Sequence, residues 1–158
     1  METKSPREVA DTFYDAFARR DAETMAGLYA DTATFEDPVF GHLEAAQAKA
    51  MWRMLVGRAA DLTASHEVVD ADDERVRVAW RADYTFGGTG RKVHNEIAAR
   101  MHVIDGLIVE HKDAFSFWTW SRQALGPAGL VAGWTPLLRS RVRSQALAGL
   151  AREKPVQP

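Results

Sequence analysis

The sequence predicts an α+β fold: a curved antiparallel sheet wrapped around N-terminal helices, followed by a C-terminal helical extension. Three observations carry this. Apolar residues recur at helical spacing through the first third of the chain, long runs from Val76 onward alternate strictly, and Gly- and Asp-Gly-containing turns join those runs as hairpins. At 158 residues the chain fits one domain with a single substantial core.

The elements follow in order. Ser5-Pro6-Arg7-Glu8 is a capping box that opens a first helix, whose stripe is Val9, Phe13, Ala16 and Phe17. Asp21 caps a second, shorter helix in which Met25, Leu28 and Tyr29 face one way. A short strand then ends at Asp37-Pro38, with Phe35 and Asp37 on one face because they are two residues apart. A third helix spans 44–58 with Ala50, Met51, Met54 and Leu55 as its buried stripe and Trp52 at its flank. Residues 61–70 alternate loosely. The next strand buries Val76, Val78, Trp80, Ala82, Tyr84 and Phe86, leaving Arg75, Arg77, Arg81 and Asp83 outside. Gly87-Gly88-Thr89-Gly90 turns into a strand with Val93, Asn95, Ile97, Ala99, Met101 and Val103 inside. Asp105-Gly106 is a tight hairpin signal, after which Leu107, Val109, His111, Asp113, Phe115 and Phe117 fall on one side. Hairpin-linked long strands of this kind form an antiparallel, twisted sheet.

Residues 1–120 are thus expected to form the α+β domain and 121–152 a helical extension packed on it. Gly126-Pro127-Ala128-Gly129 supplies a bend and Thr135-Pro136 caps the last helix. The large apolar residues Trp120, Leu125, Trp134, Leu137 and Leu138 predict that this tail packs back, as a lid or against a partner subunit. Residues 153–158 are expected to be disordered.

Composition narrows the function classes. With 46% apolar and 27% charged residues the chain is of ordinary globular composition. A net charge of -2 lacks the basic excess of a nucleic-acid binder. No run reaches the length of a membrane span and the polar start is no signal peptide, so a cytoplasmic location fits. The absence of cysteine excludes disulfides, thiolate catalysis and Cys-ligated zinc. His42, His66, His94 and His102 show no metal-ligand spacing, and no Gly-rich loop joins a strand to a helix, so neither a metal nor a cofactor is expected.

Asp37, at an apolar strand end, is the foremost candidate for chemistry, because desolvation raises a carboxyl pKa and makes it a proton acceptor near neutrality. His111 and Asp113, two apart on one strand face, can share a hydrogen bond. A pocket for a small hydrophobic molecule would be lined by Phe13, Phe17, Phe35, Trp52, Trp80, Tyr84, Asn95 and Phe115. The bland alternatives are a strand-end turn at Asp37 and a core histidine satisfied by Asp113.

Three stretches resemble the nuclear transport factor two-like superfamily, the cone-shaped fold of ketosteroid isomerase, SnoaL-like cyclases and limonene epoxide hydrolase. They are Arg20-Asp21-Ala22, the run Tyr29-Ala30-Asp31-Thr32-Ala33-Thr34-Phe35-Glu36-Asp37-Pro38, and the run from Asp105-Gly106 to Lys112-Asp113. The ending Phe117-Trp118-Thr119-Trp120 with Gly133-Trp134-Thr135-Pro136 is similar to a bacterial SnoaL-like subgroup labelled ketosteroid isomerase-related. The resemblance implies cofactor-independent acid–base chemistry, or hydrophobic-ligand binding without catalysis, since the fold hosts both. It also implies a homodimer through the outer sheet face, where His94, Arg100 and His102 lie.

In that resemblance Asp37 matches the proton-carrying Asp of ketosteroid isomerases. The two oxyanion donors of those enzymes are not matched: the helix position holds Phe13, with Tyr14 about 100° away around the helix, and the sheet position falls near Ala99 or Arg100. Limonene epoxide hydrolases use an Asp-Arg-Asp set that Arg81, Asp83 and Asp113 match in order, yet the alternation turns Arg81 and Asp83 outward. Enzyme and binding module both remain open at this level.

Overall fold

A computed structural model describes residues 2–58 and 60–152. The expected disorder of 153–158 lies outside the described residues. Helix α1 (Pro6–Ala18) begins on the capping box, with Ser5 Oγ accepting from Glu8 N at 3.2 Å and Glu8 Oε2 accepting from Ser5 N at 2.8 Å. Helix α2 (Ala22–Gly27) is capped by Asp21, whose Oδ1 accepts from Thr24 N at 3.1 Å. Strand β1 (Tyr29–Asp37) follows at once, so Tyr29 belongs to the sheet and not to the helix. A short strand β2 (Gly41–Glu44), which no sequence pattern announces, returns antiparallel to β1 and leads into α3 (Ala45–Arg58).

The remaining strands are β3 (Thr63–Ala71), β4 (Arg75–Thr85), β5 (Lys92–Ile104) and β6 (Leu107–Ala114). The open sheet is ordered β2-β1-β6-β5-β4-β3. Its neighbours are antiparallel except β1 and β6, which run parallel. That single parallel pair inserts the last strand beside the first and draws the two halves of the chain together. At the β5–β6 hairpin Asp105 and Gly106 both take positive φ, 52° and 77°, as a type I′ turn requires.

The expected inward faces of β4 and β5 match the burial pattern from Val76 to Trp80 and from Val93 to Val103. Strand β6 departs from expectation. The register shifts between the pairs His102–Glu110 and Val103–Ile108, leaving Val109 as an extra residue on β6. The bulge flips the phase: Ile108 is buried and Leu107 exposed, while His111 and Asp113 still point inward. The strand also ends at Ala114, so Phe115 lies beyond it, partly buried.

The tail forms α4 (Phe117–Leu125), α5 (Pro127–Ala132) and α6 (Pro136–Ala151). Helix α4 packs near β5 and inserts Phe117 and Trp120 into the core. Helix α6 lies against α3 and buries Val142 and Leu150. The packing expected of the whole tail stops short at the α5–α6 corner, where Trp134 (74% exposed) and Leu137 (66%) face outward. Thr135 caps α6 there, and Trp134 Nε1 donates to Val131 O at 2.9 Å, so the indole closes the local turn instead of reaching the core.

Candidate functional site

The centre of the cone holds a directed chain of polar groups among aromatic rings. Trp52 on α3 donates Nε1–H to Tyr29 Oη at 2.9 Å. Tyr29 Oη lies 2.7 Å from His111 Nδ1, and His111 Nε2 lies 2.9 Å from Asp113 Oδ1. A carboxylate only accepts, so Nε2 carries the proton, and in the neutral ring Nδ1 is left to accept from Tyr29. Each donor then points one way, from Trp52 through Tyr29 and His111 to Asp113. Tyr14 Oη joins more loosely, 3.4 Å from His111 Nε2.

The surroundings are apolar. His111 is fully buried, with Phe13, Phe35 and Trp52 ring centroids at 5.6, 5.0 and 6.2 Å from its own. Burial pushes the phenols of Tyr14 and Tyr29 well above their ordinary pKa, and the Asp113 charge raises both further. Tyr29 also feels the opposing hydrogen bond from Trp52. Both therefore stay protonated and able to donate.

Asp37 sits where β1 ends and makes its own turn. Its Oδ1 accepts from Val39 N at 2.9 Å and from Phe40 N at 2.6 Å, so the strand-end turn is real. Those two bonds normally hold a carboxylate low. Here desolvation outweighs them and lifts the pKa to about 7. The Asp113 charge adds to the rise, and Arg143 on α6 opposes it. Tyr84 on β4 completes the group: burial raises its pKa first, and the Asp37 charge adds to that. Its Oη accepts from Trp120 Nε1 at 3.0 Å. The turn thus holds a carboxyl half-ionised near neutrality, and such a group can take or give a proton at little cost.

The residues singled out in the sequence divide into two sets. Asp37, Asp113 and Tyr84 are coupled electrostatically, with His111 behind Asp113. Asn95 is buried on β5, opposite Ala82. Phe13, Phe17, Phe35, Trp52 and Trp80 instead pack edge to face on one another, for example Phe17 at 5.5 Å from Trp80 and Phe13 at 5.3 Å from Trp52. These five residues belong to the packed core. Clefts of about 400 and 280 Å³ lie at the surface, the first beside Asp11 and Asp15 of α1, the second between Tyr84, Lys92, Val93 and Gln123. The set Arg81, Asp83 and Asp113 does not assemble, because Arg81 and Asp83 are exposed on the outer face and Asp83 Oδ1 is 2.8 Å from His94 Nδ1. Among the described residues no His, Asp and Glu cluster could hold a metal ion.

Sequence reasoning missed Tyr14, Tyr29, Trp120 and Arg143. Tyr29 was within reach, since the period of two that turns Phe35 and Asp37 inward also includes position 29. Its assignment to the second helix hid it. Tyr14 is one step around α1 from Phe13, and the cone covers both. Nothing in the sequence joins Arg143 to a turn more than a hundred residues earlier.

Solved structures of similar fold carry several activities. An LEH-like epoxide hydrolase of M. tuberculosis is 20% identical, with a TM-score of 0.59 over 78% of this chain and 90% of its own. IdmH of Streptomyces antibioticus, a proposed polyketide cyclase, is 23% identical, with a TM-score of 0.63 over 76% of this chain and 98% of its own. A protein of ketosteroid isomerase-like fold from Catenulispora acidiphila, in complex with trimethylamine, is 16% identical, with a TM-score of 0.66 over 84% and 100%. At these identities the likeness is one of fold. No curated protein matches the chain in sequence. The model of the SnoaL-like domain matches residues 10–111, which run from α1 to the histidine at the centre of the cone, and the chain belongs to that family.

Proposed function

We propose that this SnoaL-like protein is a cofactor-independent acid–base enzyme acting on a small hydrophobic molecule, with Asp37 as the proton acceptor. The observation that carries the reading is a carboxyl lifted to about 7 by desolvation while still held by two backbone N–H groups. Such a group is both poised and oriented. Asp113 keeps the proton affinity of Asp37 high through its charge. His111, Tyr29 and Trp52 fix Asp113 in place and are positioning residues, since His111 is fully enclosed. The Tyr84 hydroxyl is the neighbouring polar group best placed to meet an oxygen of the substrate. Isomerase and cyclase chemistry, which begin with proton abstraction from carbon, suit this arrangement.

A second reading is a non-catalytic binding module. It is favoured by the self-satisfied Trp52–Tyr29–His111–Asp113 chain, which leaves no donor of that chain awaiting a substrate. Either reading is compatible with a homodimer, which we also propose. The test is 5-nitrobenzisoxazole, a small apolar probe whose ring opens when a base removes its carbon-bound proton. The rate should rise through pH 7 and fall at least tenfold in D37N. A rate equal in the wild type and D37N would favour the binding module.

A further inference from the structure

The C-terminal helix meets Asp37 through two peptide groups. Arg143 on α6 donates from Nη2 to Pro38 O at 3.3 Å and from Nε to Val39 O at 3.4 Å. Those carbonyls belong to the same two peptide planes whose N–H groups, on Val39 and Phe40, point at Asp37 Oδ1. The Pro38–Val39 and Val39–Phe40 amides therefore stand between a guanidinium and a carboxylate, both aligned with the field of the pair. A cation at the carbonyl end polarises an amide and strengthens its N–H as a donor, as cooperative hydrogen bonding requires. The turn is shaped to admit the guanidinium. Gly41 has φ of 72°, and a Cβ built there would lie 3.1 Å from Arg143 Nε. A side chain at 41 would be strained and would crowd the Arg143 fork.

Arg143 lies outside residues 10–111 that match the SnoaL-like domain, so this contact is an addition to the family core. We propose that Arg143 is a positioning residue for Asp37, acting through these two amides, so that its guanidinium fork sets how readily the carboxyl takes up a proton. The proposal rests on reading Asp37 as the proton acceptor. Three groups bear on that carboxyl: Asp113 from β6 raises its proton affinity, Arg143 from α6 lowers it, and Tyr84 of β4 shares its surroundings. The native affinity is a balance between an anion in the sheet and a cation on α6.

The test is carbon-detected NMR of the Asp37 carboxyl through a pH titration of the full chain without substrate. R143Q should raise the midpoint by on the order of one unit. R143K, which keeps a cation but not the fork, should recover at least half of that shift. V142A, which trims apolar volume beside Arg143 and keeps both the guanidinium and the Leu150 anchor of α6, should leave the midpoint in place. With 5-nitrobenzisoxazole the midpoint of the rate profile should move with the carboxyl. An unmoved midpoint in R143Q, a value for R143K equal to that of R143Q, or a V142A shift as large as that of R143Q would overturn the proposal. The titration needs no turnover, so a chain inactive on the probe still answers the question of coupling.

Discussion

Asp37 weakens the fold at neutral pH, and the direction follows from where its proton sits. The folded carboxyl titrates at about 7 and the reference value is 3.8. Between those values the folded chain holds a proton that the unfolded chain has lost, so its stabilising contribution is full below about 4 and disappears as pH rises to 7. Each unit of difference is about 1.4 kcal/mol, and the carboxyl retains some solvent contact, which reduces the total to a few kcal/mol at most. Asn at this position cannot ionise, yet its Oδ1 still accepts from Val39 and Phe40. D37N should therefore be more stable than the wild type by roughly 2–3 kcal/mol at pH 8 and equal to it at pH 4. Urea unfolding at the two pH values measures this. A gap that is the same at both would mean that Asp37 is not desolvated as described. The same substitution removes the proposed base, so stability gained with activity lost would mark the carboxyl as kept for chemistry.

At the scale of elements, regular patterns were legible and interruptions were not. The faces of β4 and β5 follow from strict alternation, and α1 from its capping box and its stripe. The Val109 bulge broke the same logic on β6, because one extra residue puts the side chains before it out of phase with those after it and leaves no mark in composition. His111 and Asp113 were nevertheless placed correctly inward, since they lie past the bulge and in phase with each other. The second helix was read too long, which concealed Tyr29. The tail divides along a similar line. Trp120 was expected to pack and does, whereas Trp134 and Leu137 were expected to pack and stand exposed. Helix α6 is anchored instead by Val142 and Leu150. Two such buried side chains are worth about 3–6 kcal/mol at full burial, offset in part by the entropy of ordering the helix. Removing residues 127–158 should lower stability by roughly 2–3 kcal/mol and expose the α3 face to a dye such as ANS. Unchanged unfolding and no dye binding would show α5 and α6 to be an appendage that contributes nothing to the cone. Truncation also removes Arg143, so the Asp37 midpoint should rise in the truncated chain, and a midpoint equal to that of the wild type would contradict the role given to Arg143.

For the whole molecule, the two faces of the sheet pose different problems. The inner face is closed by helices α1 and α3, and no described helix is long and apolar enough to cross a membrane. The outer face carries a pattern that single strands do not reveal but their register does. Ala79, Ala98 and Ala114, all exposed, lie directly across β4, β5 and β6 from one another. On one side of this row the pairing aligns Arg77, Arg100 and Lys112, and on the other it aligns Arg81 with Glu96 and Asp83 with His94. A flat rung of small side chains lets a second sheet approach closely. A two-fold axis through that rung would turn the basic row of one copy onto the Glu96 and Asp83 side of the other, so the surface is self-complementary. The expected product is a homodimer burying about 800 Å² per partner, stable at micromolar concentration. Ala98 is at the centre of the rung and touches no core residue from its outward side, so A98R should fold normally, as judged by circular dichroism, and sediment as a monomer. Its long side chain would stand where the rung of alanines must meet the partner's rung and would hold the two sheets apart. A wild-type chain that scatters light as a monomer, or an A98R chain that remains dimeric, would place the interface elsewhere. The site itself draws all its groups from one chain. D37N-sensitive turnover should therefore persist in monomeric A98R, and its loss would mean that the partner shapes the mouth of the cone.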